Sequence, residues 1–240
     1  VYQRQIPIAN LITTMKFMIK DVEEDDKDLV AFVRSLIRPP SRRDELNLDD
    51  KSKTDFSQTN QSTKIDKLLN RHRNGFFIEA GGYDGELFSN TLFFELQRNW
   101  TGLLIEPTPF PYLIATTKNR HCFMLNACIA SKKPFVAKFK VHGPLSGRQN
   151  EMSKKHLDFV KDHAEKTRLK EETMYVPCFS LNTIMRAVDR TTIDYFSLDV
   201  EGGELSVLKS IDFSNLNIRS FSIEYASKND TIPQIVHYLK

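Results

Sequence analysis

Short apolar runs alternate with segments of helical periodicity through most of the chain. The runs have the length of buried strands, and the segments between them place apolar side chains three and four positions apart. The predicted strands are 75–80, 102–106, 123–130, 193–200 and 220–224, and the predicted helices are 64–72, 89–98, 108–120, 181–188, 205–209 and 232–240. Because such alternation is typical of βαβ units, we predict an α/β fold with a mainly parallel sheet.

The first part of the chain follows a different pattern. Apolar residues at helical spacing predict helices over 6–19 and 29–37, and a polar, charged stretch predicts a linker or mobile loop over 41–63. We therefore divide the chain into an N-terminal helical extension with a polar linker, residues 1–63, and a domain, residues 64–240.

The alternation pauses between the third and fourth strands. Residues 135–141 and 174–178 predict two strands that pair with each other. The charge run over 152–172 predicts a helix with a solvated face, and its position near the expected pocket leaves a lid role open.

Composition narrows the class of protein. The chain is 40% hydrophobic and 27% charged, which is ordinary for a soluble domain, and a net charge of +3 is too small to indicate a nucleic-acid partner. No run approaches the roughly 18 consecutive apolar residues of a membrane span. The chain begins at Val1 rather than Met, so a membrane anchor upstream remains open.

A glycine loop, Gly81-Gly82-Tyr83-Asp84-Gly85, follows the first strand and opens onto a helix. Glycines there let the backbone approach a ligand closely, and the N–H groups of residues 89–91 at the helix start are placed to receive an anion. The spacing departs from the dinucleotide fingerprint, which excludes a nicotinamide-dependent oxidoreductase. The alternative interpretation is a plain structural turn.

Two acidic segments follow later strands. Glu106 ends the second strand, 21 residues after Gly85, where a carboxylate can accept both hydroxyls of a ribose. Asp199 and Glu201 end the fourth strand and are expected to face the same crevice as Asp84, either to bind a cation or to act as a base. The alternatives are an exposed carboxylate at a strand end and an acidic helix N-terminus.

These segments resemble the three signature segments of the FkbM family of methyltransferases. The matching segments are 77–85 with 89–91, 104–107 and 198–204, while 90–95 and 99–107 are closer to the animal Star-like branch. The resemblance implies a class I (Rossmann-like) methyltransferase fold, S-adenosylmethionine as cofactor and O-methylation of small hydroxylated molecules. No metal site is predicted, because the cysteine spacings fit none. The cofactor-binding residues that it implies are Glu79, Gly81, Asp84, Gly85, Asn90, Glu106, Asn126 and Asp199, and the implied catalytic residues are Asp199 and Glu201.

The Star-like branch implies another function. Resemblance to this branch implies a type II membrane protein of the secretory pathway that helps to export a growth-factor precursor, a role that needs no catalysis. The partner is then a secretory cargo protein rather than a small acceptor, and the location is the lumen or membrane of the endoplasmic reticulum or Golgi rather than the cytoplasm. Sequons at Asn60, Asn99 and Asn229 are compatible with such a glycoprotein.

The three cysteines fit no zinc-site spacing. Cys128 ends the third predicted strand, and Cys178 ends the strand that leads back towards the sheet. In an oxidising lumen we predict a disulfide between these two residues, with Cys122 free.

Overall fold

The computed structural model describes residues 19, 21–43, 45–129, 132–141, 147–148, 172–224 and 231–239. These residues form seven helices and eleven strands. The helices are α1 Lys27–Leu36, α2 Gln61–Leu68, α3 Leu92–Arg98, α4 Pro109–Thr117, α5 Leu181–Ala187, α6 Glu204–Ser210 and α7 Thr231–Tyr238. The strands are β1 Phe76–Ala80, β2 Thr101–Ile105, β3 Phe123–Leu125, β4 Cys128–Ile129, β5 Phe135–Val141, β6 Gly147–Arg148, β7 Glu172–Phe179, β8 Thr192–Ile193, β9 Tyr195–Leu198, β10 Asn217–Ile218 and β11 Phe221–Ile223. Helices were also predicted over 6–19 and 152–172. Apart from residues 19 and 172, both ranges lie outside the described residues.

A five-stranded parallel sheet forms the centre of the fold, in the order β11-β9-β1-β2-β3. Every residue of β1 and β9 is buried, because helices cover both faces of such a sheet and leave no position for a solvated side chain. The prediction of an α/β fold with a mainly parallel, Rossmann-like sheet is therefore confirmed.

A second sheet, in the order β4-β7-β5-β6, branches from the first. The predicted pairing of its two long strands is confirmed, since β7 runs antiparallel to β5 over the full length of β5. The single strand predicted over 123–130 is wrong. The chain leaves the central sheet after Leu125, because the side chain of Asn126 donates to the carbonyls of Glu106 and Pro107, and β4 then pairs with β7.

The predicted disulfide is confirmed in the structure. Cys128 on β4 lies opposite Cys178 on β7, with 4.4 Å between their Cα atoms, and the two sulfurs are bonded. Cys122 is buried and free. The bridge therefore joins two positions that are 50 residues apart in the chain.

The described part of the N-terminal extension packs on the domain. Leu29 and Val33 of α1 belong to the main hydrophobic core, and the guanidinium of Arg34 donates to the last carbonyls of α5. The polar stretch after α1 is attached as well, because the backbone N–H groups of Asp49 and Asp50 donate to the Glu86 carboxylate. Among the described residues, no helix combines the length and the apolar character that crossing a membrane requires.

Candidate cofactor site

The carboxyl ends of four parallel strands bring together the predicted residues and one further carboxylate, Glu224. The glycine loop follows β1, Glu106 follows β2, Asp199 follows β9 and Glu224 follows β11. Since β1 lies between β9 and β2, the chain moves to opposite sides of the sheet after β1 and after β9. This is a topological switch point, where open α/β sheets bind their ligands.

Gly81 connects the glycine loop closely to the end of β9. Its φ of +87° lies in the left-handed region, and a Cβ atom added there would lie 2.0 Å from the backbone oxygen of Asp199. Only glycine fits this position without moving one of the two backbones. Further along the loop, the Asp84 carboxylate accepts from the N–H groups of Glu86 and Leu87, and thus stabilises the turn.

Glu106 connects the glycine loop to the start of α4. One carboxylate oxygen accepts from the Tyr83 N–H at 2.9 Å, and the other accepts from the Thr108 N–H at 2.6 Å. The residue is 5% exposed, so the alternative of an exposed strand-end carboxylate is wrong. Burial, together with the nearby charge of Asp84, raises its pKa to about 7, although the hydrogen bonds from these N–H groups oppose the shift. The Thr108 side chain also bonds this carboxylate. Of the roughly four acceptor positions of a carboxylate, one is left for a ligand hydroxyl.

Glu79 is buried, and both of its carboxylate oxygens accept hydrogen bonds within the protein. It accepts from the Ser89 hydroxyl at 3.0 Å, the Asn90 N–H at 2.6 Å and the Thr91 hydroxyl at 2.6 Å. Burial raises its pKa, although Arg120 and these donors oppose the shift. Of the three backbone N–H groups at 89–91 that were expected to receive an anion, only that of Asn90 donates to the carboxylate of this chain's own Glu79. Those of Ser89 and Thr91 donate to the Glu86 carbonyl and the Ser89 hydroxyl.

Asn90 connects the two strands β1 and β9 that flank the switch point. Its backbone N–H donates to Glu79 on β1, and its side-chain Nδ2 donates to the Ser197 hydroxyl on β9 at 3.0 Å. Its Oδ1 is buried and has no hydrogen-bond partner among the described residues. A buried acceptor without a donor is unfavourable, so a ligand N–H or O–H at this position would be stabilised.

Three carboxylates cluster where β9 and β11 end. Oxygens of Asp199, Glu201 and Glu224 all lie within 4.8 Å of one another. Burial, followed by the neighbouring charge of Glu224, raises the pKa of Asp199 well above its usual range. Burial, together with the charges of Glu224 and Glu204, raises the pKa of Glu201 to about 8. Like charges at this distance disfavour joint ionisation, so the cluster suits a cationic ligand.

Two further predicted residues lie beside the crevice with their polar groups already engaged. The carbonyl of Gly85 accepts a hydrogen bond from the buried guanidinium of Arg120. The side chain of Asn126 holds the carbonyls of Glu106 and Pro107, which places it where β3 ends. Glu224 was missed by the sequence analysis, although its place at the end of the fifth predicted strand was a usable signal.

A family model described as the Methyltransferase FkbM domain matches residues 79–240, which is about two thirds of the chain. The chain belongs to the FkbM methyltransferase family. The FkbM match begins at Glu79, so it includes every residue predicted for the site and leaves α1 and α2 outside. No match was found among curated proteins or among solved structures.

Proposed function

We propose that this FkbM domain binds S-adenosylmethionine at the switch point and methylates a hydroxyl group of a small acceptor. One observation carries the proposal: the glycine loop, the buried Glu106 and the cluster of Asp199, Glu201 and Glu224 meet at the carboxyl edge of a parallel sheet. Ligands of such sheets bind at this edge, and the family match supplies the class of reaction.

The residues present fit this cofactor. Glu106 would accept from a ribose hydroxyl, and the Asn90 Oδ1, which has no partner among the described residues, would accept from the ammonium group. The carboxylate cluster suits the sulfonium charge, and Asn126 at the end of β3 would lie near the adenine. Bound S-adenosylmethionine would supply an electrophilic methyl group on a cationic sulfur.

Asp199 and Glu201 are the proposed bases. A general base is most effective when its pKa lies near the working pH, and burial holds the pKa of Glu201 at about 8. A carboxylate there would accept the acceptor's hydroxyl proton as the oxygen approaches the methyl carbon within about 3–3.5 Å. Neutral acceptors fit better than anions, because Glu224 adds a third acidic group at this site.

The test is a turnover assay in which the purified protein and S-adenosylmethionine are incubated with a panel of hydroxylated small molecules. We expect S-adenosylhomocysteine to form with at least one acceptor and a methyl ether to be detected by mass spectrometry. Binding of S-adenosylmethionine without turnover on any acceptor would contradict the enzymatic part of the proposal and leave the binding part standing.

Replacing Glu106 with glutamine should weaken S-adenosylmethionine binding by about 1.5–3 kcal/mol, because the ribose hydroxyls lose a charged acceptor. Glutamine keeps the shape of the side chain and can still accept from one of the two backbone N–H groups. The measurement is calorimetric titration, with Glu45→Gln as a matched control because that carboxylate is 80% exposed. Unchanged affinity in Glu106→Gln would remove the ribose assignment.

S-Adenosylmethionine affinity should rise from about pH 6 to about pH 8, since its ligating carboxylates must ionise on binding. Burial raises the pKa of Glu106 to about 7 and that of Glu201 to about 8, so a proton is released from each as the ligand binds. Asp84 beside Glu106, and Glu204 and Glu224 beside Glu201, add to both shifts.

Titrations across this range, in buffers of different ionisation enthalpy, measure both affinity and proton release. S-Adenosylhomocysteine lacks the sulfonium charge and should show a smaller rise. An affinity for S-adenosylmethionine that is flat with pH would contradict the assigned carboxylates.

The alternative function is a Star-like luminal module that assists the export of a growth-factor precursor. The Cys128–Cys178 disulfide favours this setting, because structural disulfides persist in oxidising compartments. The test is to express the full-length protein with a secreted growth-factor precursor and follow export of the precursor. Export that is unchanged by removal of the protein would exclude this function.

A further inference from the structure

Arg120 lies between α4 and β3, outside every motif, and its side chain is 0% exposed. Its Nε donates to a Glu95 carboxylate oxygen at 2.7 Å, which anchors the guanidinium to α3. A buried charge is tolerated only when paired and hydrogen-bonded, and Glu95 supplies the closest of its carboxylate partners.

The other two guanidinium nitrogens contact the candidate site. Nη1 donates to the Gly85 carbonyl, at the end of the glycine loop, and to the Ser89 hydroxyl at 3.3 Å. Nη2 donates to the Thr91 hydroxyl at 3.1 Å and lies 4.0 Å from a carboxylate oxygen of Glu79. The planar guanidinium thus fixes the loop and the segment before α3 relative to each other.

Asn90 lies between the residues that this guanidinium holds. Ser89 and Thr91 flank it, and Glu79, which both of them contact, accepts its backbone N–H. The direction of the Asn90 side chain, with Nδ2 on Ser197 and Oδ1 unpaired, depends on this backbone position. Arg120 therefore acts on Asn90 indirectly, through Ser89, Thr91 and Glu79.

We infer that Arg120 is a positioning residue for the cofactor site, which holds Asn90 so that its unpaired Oδ1 accepts from a cationic N–H donor of the ligand. The inference rests on the proposed function for the identity of the ligand. It assigns Glu79 to the same internal network, so that Glu79 orients Asn90 instead of contacting the cofactor.

A double-mutant cycle with Arg120→Lys and Asn90→Ala tests the inference. Lysine keeps the charge but loses the fork geometry, and each single variant should weaken S-adenosylmethionine binding about tenfold. If Arg120 acts through Asn90, the double variant should bind about as weakly as either single one, because the second change removes nothing more. Additive losses, of about a hundredfold in the double variant, would overturn the inference.

Arg98→Lys is the matched control for general destabilisation. Arg98 makes a bidentate pair with Asp66, with both bonds at 2.6 Å, away from the carboxyl edge of the sheet. We expect lower stability and unchanged S-adenosylmethionine affinity in this variant. Should Arg120→Lys fail to fold, Thr91→Val removes the hydroxyl between Arg120 and Glu79 and should show the same non-additivity with Asn90→Ala.

Amide hydrogen exchange tests the positioning role of Arg120 without any ligand, so a failure of this inference can be distinguished from a failure of the proposed function. If the parent protein fails to bind S-adenosylmethionine, the proposed function fails, but Arg120→Lys should still accelerate exchange of the Asn90 amide relative to Arg98→Lys. Equal exchange of this amide in the two variants would overturn the positioning role.

Discussion

Replacing Asp199 with asparagine is expected to lower turnover by about a hundredfold or more while the fold and much of the cofactor affinity are kept. Asparagine matches the shape of the side chain but cannot accept the hydroxyl proton. The backbone of Asp199 still supports the site, because its N–H donates to Ala80 and its carbonyl lies against Gly81.

The same variant should be more stable than the parent at neutral and alkaline pH. Burial and the neighbouring carboxylates raise the pKa of Asp199 above its unfolded value. The parent therefore loses folding stability as the pH rises from the unfolded pKa through the raised one, and the amide does not titrate. Thermal unfolding and S-adenosylhomocysteine formation measure the two effects, with Asp189→Asn, whose side chain is 81% exposed, as control. Parental turnover in Asp199→Asn would exclude Asp199 as the base.

Removing the disulfide by Cys128→Ala with Cys178→Ala should lower the free energy of unfolding by about 4 kcal/mol in the chain-entropy model. The bridge closes a loop with a sequence separation of 50, and in the unfolded chain that constraint reduces conformational entropy. Denaturant unfolding of the two proteins without reductant measures the difference.

The control for this comparison is the parent protein with the bridge reduced, which should approach the variant in stability. Non-reducing mass spectrometry should show one disulfide and one free thiol, that of the buried Cys122. Three free thiols in protein from an oxidising compartment, or equal stability with and without reductant, would contradict the pairing.

The central strands could be predicted because a strand that is buried on both faces is encoded by a continuous run of apolar residues. All five residues of β1 are buried, so its run of apolar side chains is unbroken apart from Glu79. The break between β3 and β4 could not be predicted, because it depends on hydrogen bonds from Asn126 to two carbonyls that lie 20 and 19 residues away in the chain.

The residue types of the site could be predicted, but the direction of each side chain could not. Glu79 lies inside an apolar run and Glu106 follows one, yet the two carboxylates accept from different parts of the chain. The segment before α3 donates to Glu79, whereas the N–H groups of Tyr83 and Thr108 donate to Glu106. Which donors reach a carboxylate depends on the packing of distant segments. Arg120 belongs to no motif, and its role follows only from the residues that surround it.

The most direct test of the central claim is calorimetric titration of the folded, disulfide-bonded protein with S-adenosylmethionine. We expect saturable binding with one site per chain, and weaker binding of the same stoichiometry in Glu106→Gln. A folded protein that shows no saturable binding at millimolar S-adenosylmethionine would contradict the assignment of the switch point as a cofactor site.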